Sequence, residues 1–221
     1  MTINVNGIDL YYELTGSGQP VVLLHGNGET HEIFDRLTPR LAEAGHAVYA
    51  VDSRGHGRSG KSDKEKPLSY YDMTEDVAEF IQKLELVEPI LYGFSDGGIV
   101  GLLLAGKYPG LLSKLIVSGA NLTPKGIKAG WALRFRLTYF FTKDPNMRLM
   151  LTEPNIQKED LEKISAPVLV LAGEQDIIKE EETRRIHEAI PNSTLQILKN
   201  ENHDSYVVHS DKLYDIIKHF L

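Results

Sequence analysis

Residues 88–101, Glu-Pro-Ile-Leu-Tyr-Gly-Phe-Ser-Asp-Gly-Gly-Ile-Val-Gly, constrain this chain more than any other stretch. The short apolar run Ile90, Leu91, Tyr92 reads as a buried strand. It ends in Gly93-Phe94-Ser95-Asp96-Gly97 and passes directly into residues 99–108, which are apolar at helical spacing. Strand, sharp turn and helix in that order form the setting in which a Gly-x-Ser-x-Gly serine stands exposed at a turn tip. The backbone there is strained, and the flanking glycines let strand and helix approach each other. The same five residues in an ordinary Gly-rich loop would carry no chemistry, so the flanks decide the reading.

The rest of the chain repeats this alternation. Asn6-Gly7 sits between two runs with strand character and signals an antiparallel hairpin at one sheet edge. Continuous apolar runs at 20–24, 47–51, 114–118, 166–171 and 194–198 read as strands buried on both faces. Helical spacing appears at Phe34, Leu37, Leu41, at Met73, Val77, Phe80, Ile81, Leu84, and over 180–190 and 213–220. Such alternation specifies an α/β fold, a mostly parallel, doubly wound sheet with helices on both faces. At 221 residues, with 42% hydrophobic and 25% charged content, one domain over 1–221 is expected. Residues 125–165 interrupt the pattern as an insertion. The loops at 25–29, 52–59, 93–97, 173–176 and 201–205 all follow strands and so share the edge where ligands bind in such sheets.

Composition excludes several classes. No run of 18 apolar residues spans a membrane. The first residues lack a basic and apolar leader, so a cytoplasmic location is expected. Zero cysteines rule out disulfides, thiolate metal sites and a cysteine nucleophile. A formal charge of -7 argues against nucleic acid as a partner, and the basic cluster at 61–66 is broken by Asp63 and Glu65, as in a solvated loop. The expected partner is a small molecule, on a monomer or small homo-oligomer, with no metal and no cofactor.

A serine hydroxyl needs a base to take its proton, and the base needs a carboxylate to orient it. Beyond Ser95, the ligand edge offers Asp176 after the penultimate strand and His203 after the last. Of eight histidines, His187 and His219 fall in helices, His209 begins one, and His46 lies at the opposite edge. His31 opens a helix and is expected to be exposed; His25 and His56 sit among glycines, where stabilising a turn is the expected role. Glu174 and Asp204 compete with Asp176, the first nearer the strand and the second adjoining the base. An oxyanion needs pre-aimed donors, and the backbone N–H groups of Asp96 and Asn27 are best placed.

The order Ser…Asp…His is that of alpha/beta-hydrolases. His25-Gly26, residues 52–59, Gly93-Phe94-Ser95-Asp96-Gly97-Gly98, Gly173-Glu174-Gln175-Asp176 and Asn202-His203 resemble that superfamily along the whole chain. Gly-Phe-Ser-Asp-Gly-Gly-Ile followed by Ala105-Gly106-Lys107-Tyr108-Pro109 is similar to the valacyclovir hydrolase (biphenyl hydrolase-like) group. The resemblance implies an alpha/beta-hydrolase fold of about eight strands and ester hydrolysis through an acyl-enzyme, with a preference for alpha-amino acid esters. It also implies that Asp96 faces the substrate ammonium and that 125–165 is a cap, shorter than the family usually carries. Glu29 adds negative potential from the facing loop, while Trp131 and Phe135 would wall the pocket or anchor the cap. A reduced cap predicts an open site. Peptide-bond cleavage of the proline iminopeptidase kind and carbon–carbon bond hydrolysis use the same triad and stay open. A catalytically silent receptor on this fold is the non-enzyme alternative, disfavoured by the complete set Ser95, Asp176 and His203.

Overall fold

The structure, a computed structural model, describes residues 1–60 and 67–221. The charged cluster at 61–66 lies outside the described residues. Eight strands form one sheet: β1 (Thr2–Val5), β2 (Ile8–Thr15), β3 (Gln19–Leu24), β4 (His46–Val51), β5 (Ile90–Phe94), β6 (Lys114–Ser118), β7 (Val168–Gln175) and β8 (Ser193–Asn202), in the order β1-β2-β4-β3-β5-β6-β7-β8. β1 with β2 and β2 with β4 are antiparallel, and every other neighbouring pair is parallel. This is the alpha/beta-hydrolase fold.

The apolar runs are continuous because alternate residues enter different cores. Val22, Leu24, Leu91, Leu115 and Val117 face one side, under α2 (Tyr70–Lys83) and α3 (Asp96–Lys107). Val21, Leu23, Ile90, Tyr92 and Ile116 face the other, under α1 (Leu37–Glu43) and α8 (Lys212–Ile217). Between β6 and β7 the chain runs through α4 (Ala129–Thr142), α5 (Pro145–Thr152) and α6 (Lys158–Leu161); α7 (Glu180–Ala189) connects β7 to β8. Ile127 belongs to no helix and bridges to Ile178 beside the end of β7.

β7 and β8 extend past the apolar stretches that announce them. Their polar ends keep pairing, Gln175 with Asn202, across a register shift between Gly173 and Gln175. β8 lies at the sheet edge, so its polar side chains stay in water while its backbone is satisfied by β7. That extension carries Asp176 and His203 to the same height above the sheet. No helix among the described residues is long and apolar enough to cross a membrane.

Candidate active site

Ser95 sits at φ 52° and ψ -111°, between β5 and α3. Its strained backbone is held by a bond from its N–H to the Ser118 carbonyl, 2.7 Å. A Cβ on Gly93 would lie 2.2 Å from the Gly97 carbonyl oxygen, and one on Gly97 would lie 2.2 Å from that of Leu24. No side chain fits either place, which is the physical content of the two flanking glycines.

The Ser95 hydroxyl lies 3.0 Å from His203 Nε2, and His203 Nδ1 lies 2.6 Å from Asp176 Oδ1. With Nδ1–H directed at the carboxylate, Nε2 is left to accept from Ser95. Asp176 Oδ1 also accepts the Ile178 N–H at 2.9 Å, whereas its buried Oδ2 has no hydrogen-bond partner among the described residues. Gly119, at φ +62°, backs this arrangement: a Cβ there would come within 2.6 Å of His203 Cε1. Gly119 lies in no recognisable motif. Its only signal is a glycine directly after β6, on the ligand edge.

The facing loop is a compact turn. Glu29 N–H donates to the Gly26 carbonyl at 3.3 Å, Glu29 Oε2 accepts the Gly26 N–H at 2.9 Å, and Gly28 between them takes φ +71°. His25 ties this turn to the loop after β4: Nδ1–H donates to the Gly26 carbonyl at 2.8 Å and Nε2 accepts the Ser53 N–H at 3.0 Å. Burial holds His25 neutral by pushing its pKa down to about 4. The His25 carbonyl in turn accepts the Gly97 N–H at 3.1 Å, which locks the turn onto the serine elbow. The backbone N–H groups of Asn27 and Asp96 donate to no other described residue. His31 departs from expectation. It is buried, with Nδ1 2.7 Å from Asp52 Oδ1, because a carboxylate from the end of β4 claims it.

Burial pushes the Glu29 carboxyl from 4.5 up to about 7, against the pull of the Gly26 N–H and of His203. Between those two values the folded chain holds a proton that the unfolded chain has lost, so this group's contribution to stability falls as pH rises through the window. Glutamine keeps the acceptor for Gly26 and cannot ionise. The melting temperature of the parent minus that of Glu29→Gln is therefore expected to drop between pH 5 and pH 7.5. A difference that stays constant would refute the assignment.

Asp96 is buried, and its carboxylate does not cap its own helix. Oδ1 accepts the Tyr70 hydroxyl at 2.7 Å and Oδ2 accepts the Asn27 side-chain amide at 2.8 Å. Burial pushes its pKa up, and these two bonds pull it back. The Asn27 amide also donates to the Asn146 carbonyl on α5 at 3.2 Å. Two side-chain oxygens here, Asn27 Oδ1 and Asn146 Oδ1, are buried without a partner among the described residues. Tyr70 N–H and the Ser69 hydroxyl hold Glu153 at 2.8 and 3.1 Å. Tyr70, Asn146 and Glu153 are absent from the sequence reading, since nothing local marks them.

The cleft at Ser95 and Asp96 is lined by Tyr70, Asn121, Phe135, Met150 and Glu153 and has a free volume of about 10 Å³, room for about one water. Phe135 of α4 and Met150 of α5 narrow the cleft more than a reduced cap leads one to expect, while Ser95 itself stays partly exposed. Phe135 lines the cleft. Trp131 stands one ring back, its centroid 6.0 Å from that of Phe135, and remains 39% exposed. The four-residue step sets the two rings side by side along α4, and only the second reaches the cleft.

Fold and comparisons together make this chain a serine hydrolase of the alpha/beta-hydrolase superfamily. It belongs to the family described as "Serine aminopeptidase, S33", which matches residues 17–159. The chain is similar to the human serine hydrolase BPHL, 28% identical over 99% of this chain and 85% of the relative. Its fold matches an esterase from Exiguobacterium antarcticum with TM-score 0.85 at 24% identity, covering 100% of this chain and 97% of that one. A meta-cleavage product hydrolase from Pseudomonas fluorescens IP01 superposes with TM-score 0.81 at 19% identity, over 100% and 96% of the two chains.

Proposed function

We propose that this protein hydrolyses a small carboxylic ester through a covalent acyl-enzyme on Ser95. The hydroxyl 3.0 Å from His203 Nε2, with Nδ1 2.6 Å from Asp176, is the observation that carries the reading. In the first step Ser95 Oγ bonds to the carbonyl carbon and its proton passes to His203 Nε2. Asp176 stabilises the imidazolium that forms, and the backbone N–H groups of Asn27 and Asp96 receive the oxyanion. His203 then protonates the departing alcohol. Water repeats the sequence on the acyl-enzyme, with His203 again as base, and releases the acid. General base catalysis of this kind contributes about 10²–10⁴ in rate.

The favoured substrate on this reading carries an ammonium group next to the ester. Asp96 is a carboxylate on the shoulder of the nucleophile, and the orphan oxygens of Asn27 and Asn146 are acceptors that an ammonium would satisfy. Glu153 adds negative potential, and Glu29 joins it only above about pH 7, where it ionises, while Phe135 and Met150 offer apolar wall to the remainder of the molecule. The likeness to the human serine hydrolase BPHL supports hydrolysis at a nucleophilic serine, and a neighbour that shares the fold is itself an esterase. The family description supports peptide-bond cleavage as the second reading.

A panel of aryl acetates, free-amine amino acid esters and aminoacyl amides tests both readings. Amino acid esters are expected to turn over fastest. Asp96→Asn keeps the backbone donor and removes the charge, so kcat/KM for the amino ester should fall about 10–100-fold relative to a neutral ester. Equal changes on both substrates would sink the ammonium role, and faster turnover of the amides would replace the ester reading with the peptidase one.

A further inference from the structure

The outer face of α4 is apolar where a surface helix carries polar residues. Leu133, Leu137, Phe140 and Phe141 share one side of the helix and are 57%, 51%, 66% and 79% exposed. Phe135 on the opposite side reaches the cleft, and no residue of α4 is fully buried. A helix apolar on both sides is expected to be covered on both, and contiguous apolar patches of several hundred Å² mark interaction sites.

The surroundings say what covers this one. At 100° per residue, Arg134 flanks one edge of the ridge and Arg136 the other, with Lys128 and Lys143 at the helix ends. α4 contains no acidic residue, in a chain of net charge -7. Beyond Arg136 runs a groove of about 850 Å³ whose charged lining residues are Lys125, Arg136 and Lys179, with no carboxylate among them. An apolar ridge bordered by cations on both edges complements an anionic lipid surface, whose acyl boundary takes apolar side chains while its phosphates take the cations. A second copy using the same face would set these cations against their own counterparts with no carboxylate on the helix to offset them.

We propose that the outer face of α4 docks reversibly on an anionic phospholipid surface. Leu133, Leu137, Phe140 and Phe141 enter the boundary between headgroups and acyl chains, and Lys125, Arg136 and Lys179 meet lipid phosphates. Such docking requires no membrane span, and it assigns α4 a membrane partner that the chain's composition conceals.

Docking is read by co-sedimentation, because the chain's one tryptophan, Trp131, sits beside Phe135 on the cleft side of α4 and not on the ridge. Vesicles of phosphatidylcholine alone are compared with vesicles containing about a third phosphatidylglycerol; the anionic ones should bind about tenfold or more tightly, with co-sedimentation that weakens as salt rises. Phe140→Ser/Phe141→Ser should lose most of this binding, and Arg136→Gln part of it. Unchanged ester turnover in the serine variant confirms that it is folded, and circular dichroism serves if the ester reading itself fails. No binding to either vesicle, equal binding to both, or parent-like binding by the serine variant overturns the proposal. Self-association abolished by the same substitutions, without vesicle binding, assigns the face to a second copy instead.

Discussion

Ser95→Ala is expected to lower ester turnover by about 10⁶, with the protein still folded. The size follows from the covalent step: without the hydroxyl, His203 has no nucleophile to activate, and only binding and backbone donors remain. The elbow itself should survive, because its strain is held by the Ser95 N–H bond to Ser118 and by the glycines, and alanine retains that N–H. Intact mass after treatment with a fluorophosphonate is the direct readout. The parent should gain one adduct and the variant none. An adduct of equal yield on the variant would show that Ser95 is not the nucleophile. The double variant with His203→Ala should be no slower than Ser95→Ala alone, because the two side chains act as one unit.

The second large effect is expected at Asp176, where alanine and asparagine should part company. Alanine removes both the orientation and the charge partner of His203, for a loss of about 10⁴ in kcat. Asparagine is a different case here because one oxygen, Oδ1, receives both the Ile178 N–H and His203 Nδ1. A carbonyl in that place accepts both bonds and preserves the tautomer, so only the charge is lost. Its amide then occupies the position of Oδ2, which is buried and unpartnered among the described residues. A buried donor without an acceptor costs about 1–3 kcal/mol. Asp176→Asn should therefore keep more activity than Asp176→Ala while melting at a lower temperature than the parent. Equal activities of the two variants would mean that the asparagine enters the other way round, with its amide facing the imidazole.

The parallel sheet was legible because strands covered on both faces leave unbroken apolar runs, and the runs at 20–24 and 114–118 need no periodicity to be read. Ser95, Asp176 and His203 were legible because in such a sheet the residues just past the strands share an edge, so chain order alone brings them near one another. Contacts at long range were not. Tyr70, 26 residues before Asp96, and Asn146, 119 residues after Asn27, announce themselves by no local pattern. His31 reads as an exposed helix-opening residue until Asp52, 21 residues on, takes it inside. The narrow cleft depends on how α4 lies across the sheet edge, and helical spacing fixes which residues share a face without saying which face turns inward. Trp131 and Phe135 show the limit: the spacing pairs them, and only packing decides which one reaches the serine.

The side-chain amide of Asn27 divides its two hydrogens between Asp96 on the serine elbow and the Asn146 carbonyl on α5. It thus ties the serine elbow to α5, and one of its holds is the carboxylate beside the nucleophile. On the reading proposed above, a cationic guest would compete with Asn27 for Asp96 Oδ2, and by reciprocity any loosening of the hold of Asn27 on α5 would alter the affinity for that guest.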